Sequence, residues 1–357
     1  MKRISLAMLV LCACLALAAQ VQAQETHTII KFNVPGAGNS NGQGTIPFGI
    51  MEDGSILGSF IDSSNVNHGF LRNPKTGRFK KIDYPGSHAT YPNGVNSKLA
   101  VTGFYIDTSG VGHGFLRSPT GHYTSFDAPG AGTGSGQGTL AGDINTGGEI
   151  AGNYIDSNGV YHGFLRTQGG QYSKVDAKGA GTGPGQGTFV SGFSGLTDMG
   201  AIAGNYTDSN GVSHGFLRLG NGKFKPFDPP GSVETLVAGL SLKNGVTGIY
   251  ADSSKLFLGF LHTVHGAYIT VNVPNSTFTG VNNIDPTGAI AGNYFDSGSG
   301  MMHGYVRNPG GAYTKVDVRG AGTGNGQGTS ANSSNSKGAI TGNYVDSNGV
   351  NHGFLRE

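Results

Sequence analysis

The sequence predicts an all-β fold: a seven-bladed β-propeller of four-stranded blades, closed by its N-terminal strand. Three observations predict it. Glycine supplies 65 of the 357 residues and charged residues only 12%. That turn-rich composition excludes coiled coils, helical bundles and highly charged disordered chains. A five-residue anchor, His-Gly-Phe-Leu-Arg, recurs at intervals of 44–52 residues, a period that points to propellers or solenoids. The two ends of the chain divide one repeat between them.

The chain opens with Met1-Lys2-Arg3, continues with an apolar run from Ile4 to Ala19 and reaches Val21-Gln22-Ala23. A charged start, an apolar run and a small-residue cleavage site form a secretory signal. Residues 1–23 are therefore expected to be removed. Residues 24–357 would then be one propeller domain, secreted or periplasmic. Leu11-Cys12-Ala13-Cys14 loosely matches a lipobox, which makes a lipid anchor on Cys14 the alternative. Both cysteines lie in this segment, so the remainder has no disulfide and no cysteine metal site. Loss of Lys2 and Arg3 leaves the 21 Asp and Glu balanced by Lys and Arg. A neutral chain offers no basic field for nucleic acid or an anionic membrane surface. No other stretch reaches the roughly 18 apolar residues of a membrane span. A monomer without cofactor or metal is expected.

The anchor stands at His68–Arg72, His113–Arg117, His162–Arg166, His214–Arg218 and His352–Arg356, with degenerate copies at Leu258–His262 and His303–Arg307. Residues 137–176 show how one repeat folds. Gly138-Thr139-Leu140-Ala141-Gly142 reads as a first strand and Thr146-Gly147-Gly148 as a turn. A second strand, Ile150–Ile155, leads into the tight turn Asp156-Ser157-Asn158-Gly159. A third strand runs from Val160 to Arg166, Gly169-Gly170 turns again, and Gln171–Asp176 is the fourth. Asp in the tight turn bonds the backbone two residues on, and Gly takes the left-handed position. Four short antiparallel strands make one blade.

The last copy stops after its third strand, at Arg356-Glu357. Thr28-Ile29-Ile30-Lys31-Phe32-Asn33-Val34-Pro35-Gly36 matches the fourth-strand pattern Tyr123–Gly130. The N-terminal segment is thus expected to complete the last blade, which ties the ends together and removes sheet edges. The anchor is similar to the HAF-type repeats of bacterial extracellular proteins, with Gly in place of the middle Ala. That resemblance covers nearly the whole mature chain. It implies an exported repeat protein and carries no site residues with it.

Function is expected on loops that a rigid scaffold presents on one face. One face of a blade carries the second-to-third turns, with Asp62, Asp107, Asp156, Asp208, Asp252, Asp296 and Asp346. It also carries the fourth-to-first loops. Four of those loops are long, glycine-rich and end Gly-Gln-Gly-Thr; the junctions at 85–94, 229–235 and 273–280 differ and are mostly shorter. Two raised rims would bound a cleft on this face. Its candidate ligand groups are Gln43, Gln137, Gln186 and Gln327 with Asp107, Asp156, Asp208 and Asp346. The plainer reading makes the aspartates turn formers. A calcium reading of the turns lacks the spacing of an EF-hand, and the glycine loops lack the Lys-Ser/Thr of a phosphate loop. Histidines repeated at one motif position suit structural hydrogen bonds better than catalysis. Arginines at the motif's end suit packing against strands.

Of the sixteen aspartates, only Asp53, Asp143, Asp198 and Asp285 fall outside the repeat pattern. Asp143 alone is not beside an obvious turn residue. The expected function is a secreted, non-catalytic binding or scaffold module for a glycan or a cell-surface protein. The alternative is an exported hydrolase or lyase acting on polysaccharide, built on irregular residues such as Asp143, Glu149 and Glu234.

Overall fold

A computed structural model describes residues 27–192, 195–241, 243 and 245–357. The expected signal segment, Cys14 included, lies outside the described residues. Those residues form 28 β-strands. No helix among them is long and apolar enough to cross a membrane.

Consecutive strands pair antiparallel in fours, here called units: 44–82 (unit 1), 89–126 (unit 2), 138–175 (unit 3), 187–227 (unit 4), 232–271 (unit 5) and 276–316 (unit 6). In unit 3 the strands are Gly138–Ile144, Ile150–Ile155, Tyr161–Arg166 and Tyr172–Val175, within a residue or two of expectation. Residues 328–356 (unit 7) supply three strands, and the fourth comes from the other end of the chain. Ile29–Phe32 pairs antiparallel with Asn351–Arg356, placing Ile30 opposite Leu355 and Lys31 opposite Phe354.

Each residue of the anchor has a physical task. Its glycine lets the fourth strand's side chain fold over the third: a Cβ on Gly114 would lie 2.4 Å from the Phe126 ring, and one on Gly353 would lie 2.4 Å from that of Phe32. Its phenylalanine is buried where two units meet. Phe164, for example, packs with Phe126, Ala141 and Ile144. Its arginine lies against rings: Arg166 stands 4.7 Å from the centre of Phe126, and Arg72 5.2 Å from that of Phe32. Some guanidinium heads also reach a neighbouring carbonyl, as Arg117 Nη1 does with Ser118 O.

Unit 7 packs against unit 1 as the others pack in sequence. Leu355 joins Val34, Ile50, Phe60 and Phe70 in one apolar cluster. Asparagine side chains in one unit's first strand, or just after it, donate to backbone carbonyls of the next. Asn93 bonds Ala141 O, Asn96 bonds Asn145 O, Asn145 bonds Thr197 O and Asn282 bonds Ala331 O. The last such ties run from unit 7 back to unit 1, from Asn332 to Pro47 O and from Asn335 to Met51 O.

The backbone ladders do not stop at unit boundaries, as separate blades would require. They form two twelve-stranded sheets, units 6-7-1 and units 2-3-4, and leave unit 5 as a four-stranded sheet of its own. The cause is the loop lengths. Where a loop ends Gly-Gln-Gly-Thr, its last glycine makes a parallel bridge to the preceding unit: Gly44 with Asn351, Gly138 with Gly112, Gly187 with Tyr161 and Gly328 with Met302. The three shorter junctions make none.

Candidate functional site

The turn aspartates and anchor histidines form one repeated device. Asp296 accepts from the N–H groups of Gly298 and Ser299, whereas in the other six of the seven tight turns an aspartate Oδ1 accepts from the backbone N–H groups two and four residues on, as Asp156 does from Asn158 and Val160. Its Oδ2 faces the histidine Nε2, at 3.3 Å for Asp62–His68 and 3.2 Å for Asp346–His352. The same histidine's Nδ1 meets the aspartate that ends the fourth strand: Asp83 at 3.0 Å, Asp127 at 3.0 Å, Asp176 at 2.8 Å, Asp228 at 2.7 Å and Asp317 at 2.9 Å. In unit 7 that partner is Asn33 of the N-terminal segment, 3.0 Å from His352. The ring opposite on the second strand stacks on the imidazole, with centroids 4.8 Å apart for Tyr154 and His162. Unit 5 has Leu258 instead, yet Asp252 still accepts from Ser254 and Leu256.

These bonds favour the charged carboxylate, so acid should undo them. The N–H groups of Val66, Val111 and Val212 hold Asp62, Asp107 and Asp208 below the ordinary carboxylate value of 3.8. For Asp252 the Ser254 hydroxyl contributes most, and for Asp296 the Ser299 N–H. At Asp156 and Asp346 burial is the largest influence and pushes upward, but the turn N–H groups and the histidine outweigh it. A depressed folded-state value means stability that is complete above 3.8 and lost as pH falls through it. The urea midpoint should therefore stay level to about pH 5 and drop steeply below about pH 4. Asp156→Asn combined with Asp208→Asn should flatten that drop. An unchanged acid limb in the double variant would refute the account.

The four glutamines are not gathered into one pocket. Each bonds within its own loop and to a turn carbonyl of the unit that the loop opens. Gln137 Oε1 accepts from Gly134 N at 2.9 Å, and its Nε2 donates to Ser157 O at 3.2 Å. Gln186 and Gln327 repeat the pattern on Ser209 O and Ser347 O. Gln43 is 4% exposed and bonds Ser40 N, Ser63 O and Asn65 Oδ1. Asp107, Asp156, Asp208 and Asp346 each sit in their own turn.

A cavity of about 590 Å³ opens at the opposite face, where the first strands end. Its lining includes Glu52, Asp143, Asp198, Lys243 and Asp285, while Asp53, the remaining aspartate outside the repeat pattern, accepts from Ser55 N in its own turn. Glu52, Asp198 and Lys243 are exposed, whereas Asp143 and Asp285 are buried. The carboxylates also tie neighbouring units together. Asp143 accepts from Leu196 N at 3.0 Å and Asp198 from Thr146 N at 2.8 Å. Asp285 accepts from Ser334 Oγ at 3.0 Å, and Glu52 from both the N–H and the hydroxyl of Ser336. Asp285 also accepts from the N–H and hydroxyl of Thr287 and from Ala289 N, which fills its roughly four acceptor positions, so the exposed Glu52 and Asp198 are the carboxylates with capacity toward the cavity. Asp198 and Asp285 read from sequence as ordinary turn residues. The signal that could have found them is that Glu52, Asp143, Asp198, Lys243 and Asp285 all fall at the first strand's end or in the turn after it. Glu149 bonds Asn145 Nδ2 beside this region, while Glu234 begins unit 5 at the other face.

No protein-family model and no curated protein sequence matches the chain. The BP39L lectin from Burkholderia pseudomallei superposes on 89% of this chain and 94% of its own, with TM-score 0.53 and 13% identity. A prolyl endopeptidase matches 84% of this chain but 46% of its own, with TM-score 0.52 and 11% identity. The lectin of Aleuria aurantia, described as a six-bladed β-propeller, aligns over 82% of this chain and 95% of its own. Its TM-score of 0.43 and 12% identity are too slight to carry inference. At such identities the first two matches bear on the fold alone, which is all-β and propeller-like.

Proposed function

We propose that this chain is an exported, closed seven-bladed β-propeller of the HAF-repeat kind that binds a glycan in its axial cavity. The observation that carries the reading is the cavity's lining. In a chain built from near-identical repeats, three of the four aspartates outside the repeat pattern meet Glu52 and Lys243 around one space of about 590 Å³. That volume falls within the range of small-ligand sites, about 300–1,000 Å³. Carboxylates, amides and hydroxyls there suit the many hydroxyl groups of a sugar. The likeness to a lectin supports the scaffold. The apolar cluster and the side-chain ties between units 7 and 1 support closure.

An oligosaccharide array followed by calorimetric titration of the best hit tests this. Glu52→Gln with Asp198→Asn changes two exposed rim groups and should weaken binding about tenfold or more. Absence of any glycan hit, or an affinity indifferent to the rim variant, would overturn the reading. The four carboxylates also keep open a polysaccharide hydrolase or lyase. Release of reducing ends from the bound oligosaccharide would favour that alternative.

A further inference from the structure

The junctions between units differ by a fixed segment. After the fourth strand, a backbone N–H donates to the hydroxyl of a threonine in the next first strand. That threonine lies 11 positions on in the long junctions, as with Ala128 and Thr139, but 6 on in the short ones, as with Tyr84 and Thr90 or Val273 and Thr279. The short junctions thus lack the counterpart of Thr133-Gly134-Ser135-Gly136-Gln137.

In the long junctions those residues reach back to the preceding unit. Gly136 N donates to Gly110 O, and Gln137 O accepts from Gly112 N at 2.8 Å. Gln186, Gln327 and Gln43 accept likewise from Tyr161, Met302 and Asn351. Asn67 holds the same position in unit 1, and its N–H makes no such bond. Its side chain instead donates to Thr90 O at 2.7 Å. A cavity of about 260 Å³ opens beside it, lined by Val66, His68, Asp83, Tyr84, His88 and Thr90 among others. The other short junctions carry a larger side chain in place of Gly138. Phe278 packs against Phe257 and Phe295, with centroids 6.3 and 5.5 Å away, and Glu234 is half-buried. At the first junction the residue is Ala89, which leaves the space open.

We propose that this socket between units 1 and 2 binds a glycine-rich peptide of the Gly-x-Gly-Gln class, supplied in trans and folded in the turn that Gln137 N–H and Gly134 O close in the chain's own loop. The peptide would lie where the chain's own loops lie at four sister junctions. A carbonyl at its glutamine takes the Asn67 N–H, and the preceding glycine amide donates to Asn65 O, the counterpart of Gly110 O. The residue before the glutamine should be glycine, because its counterpart Gly136 has φ +78°.

The test titrates the peptide Thr-Gly-Ser-Gly-Gln, residues 133–137, into the full chain and follows amide chemical shifts. Saturable changes confined to residues 65–68, 83–90 and the turn at 107–110 are expected. Alanine in place of the glycine before the glutamine should weaken binding about tenfold or more. Ala89→Phe, which places the Phe278 ring at this junction, should abolish binding. So should insertion of Thr-Gly-Ser-Gly-Gln between His88 and Ala89, which fills the socket in cis and serves if the first variant unfolds. No saturable shift, or binding indifferent to both variants, overturns the proposal. Binding of monosaccharides in place of the peptide does so too. None of these residues lines the axial cavity, so this result and the glycan result fail separately.

Discussion

Gly138→Ala is expected to lower the calorimetric unfolding midpoint by about 5 °C or more, a loss of about 3 kcal/mol. Gly138 has φ +112°, and its added methyl would stand 2.1 Å from Gly112 O, so both the backbone and the parallel bridge resist the change. Gly44, Gly187 and Gly328 have φ +109°, +117° and +126°, with the same close carbonyl, and should behave alike. Ala89 holds the corresponding place at a junction with no bridge. Ala89→Gly should therefore stay within about 1 kcal/mol, the ordinary effect of glycine in a strand. Equal effects at Gly138 and Ala89 would mean that the bridge contributes nothing.

The largest expected effect belongs to the N-terminal strand. A chain beginning at Val34 loses the partner of Asn351–Arg356, the Asn33 contact to His352 and the Phe32 ring beside Phe70 and Arg72. Truncating one buried phenylalanine alone removes about 3–5 kcal/mol, and here an unpaired strand edge is exposed as well. The shortened chain should aggregate or melt well below any single-site variant. A synthetic peptide of residues 27–35, added in trans, should restore part of the loss. A shortened chain that keeps its midpoint would refute the closure.

Much of this was legible because it repeats. The strands of unit 3 followed from the repeat, and the place of the N-terminal strand beside Asn351–Arg356 from its match to the fourth-strand pattern. So did the structural service of His68, His113, His162, His214, His303 and His352, because a residue type that returns at one position in almost every unit has one local task. The glutamines misdirect for the same reason. Gln137 is held by Gly134 N–H and Ser157 O, and a bond to a backbone carbonyl leaves no trace in the identity of the residue that supplies it. The axial cavity was illegible because its four acids come from four separate units and meet only once those units pack together. Asp285 beside Pro286 is an ordinary turn until Ser334, 49 residues away, is found against it. The socket needed one more step. The five-residue shortening is visible at three junctions, but only the size of Ala89 against Phe278 decides which stays open.

Unit 5 shares no backbone ladder with either neighbour. Apolar packing and isolated ties hold it, among them Ser191 Oγ to Val237 O and Asn272 N to the Tyr313 hydroxyl. Two triplets of welded units are thus separated by a loosely seated wedge on one side and by a single unwelded seam, between units 1 and 2, on the other. The welded triplets are thereby two stiff bodies. Any widening of the central space would come from their pivoting rather than from uniform expansion.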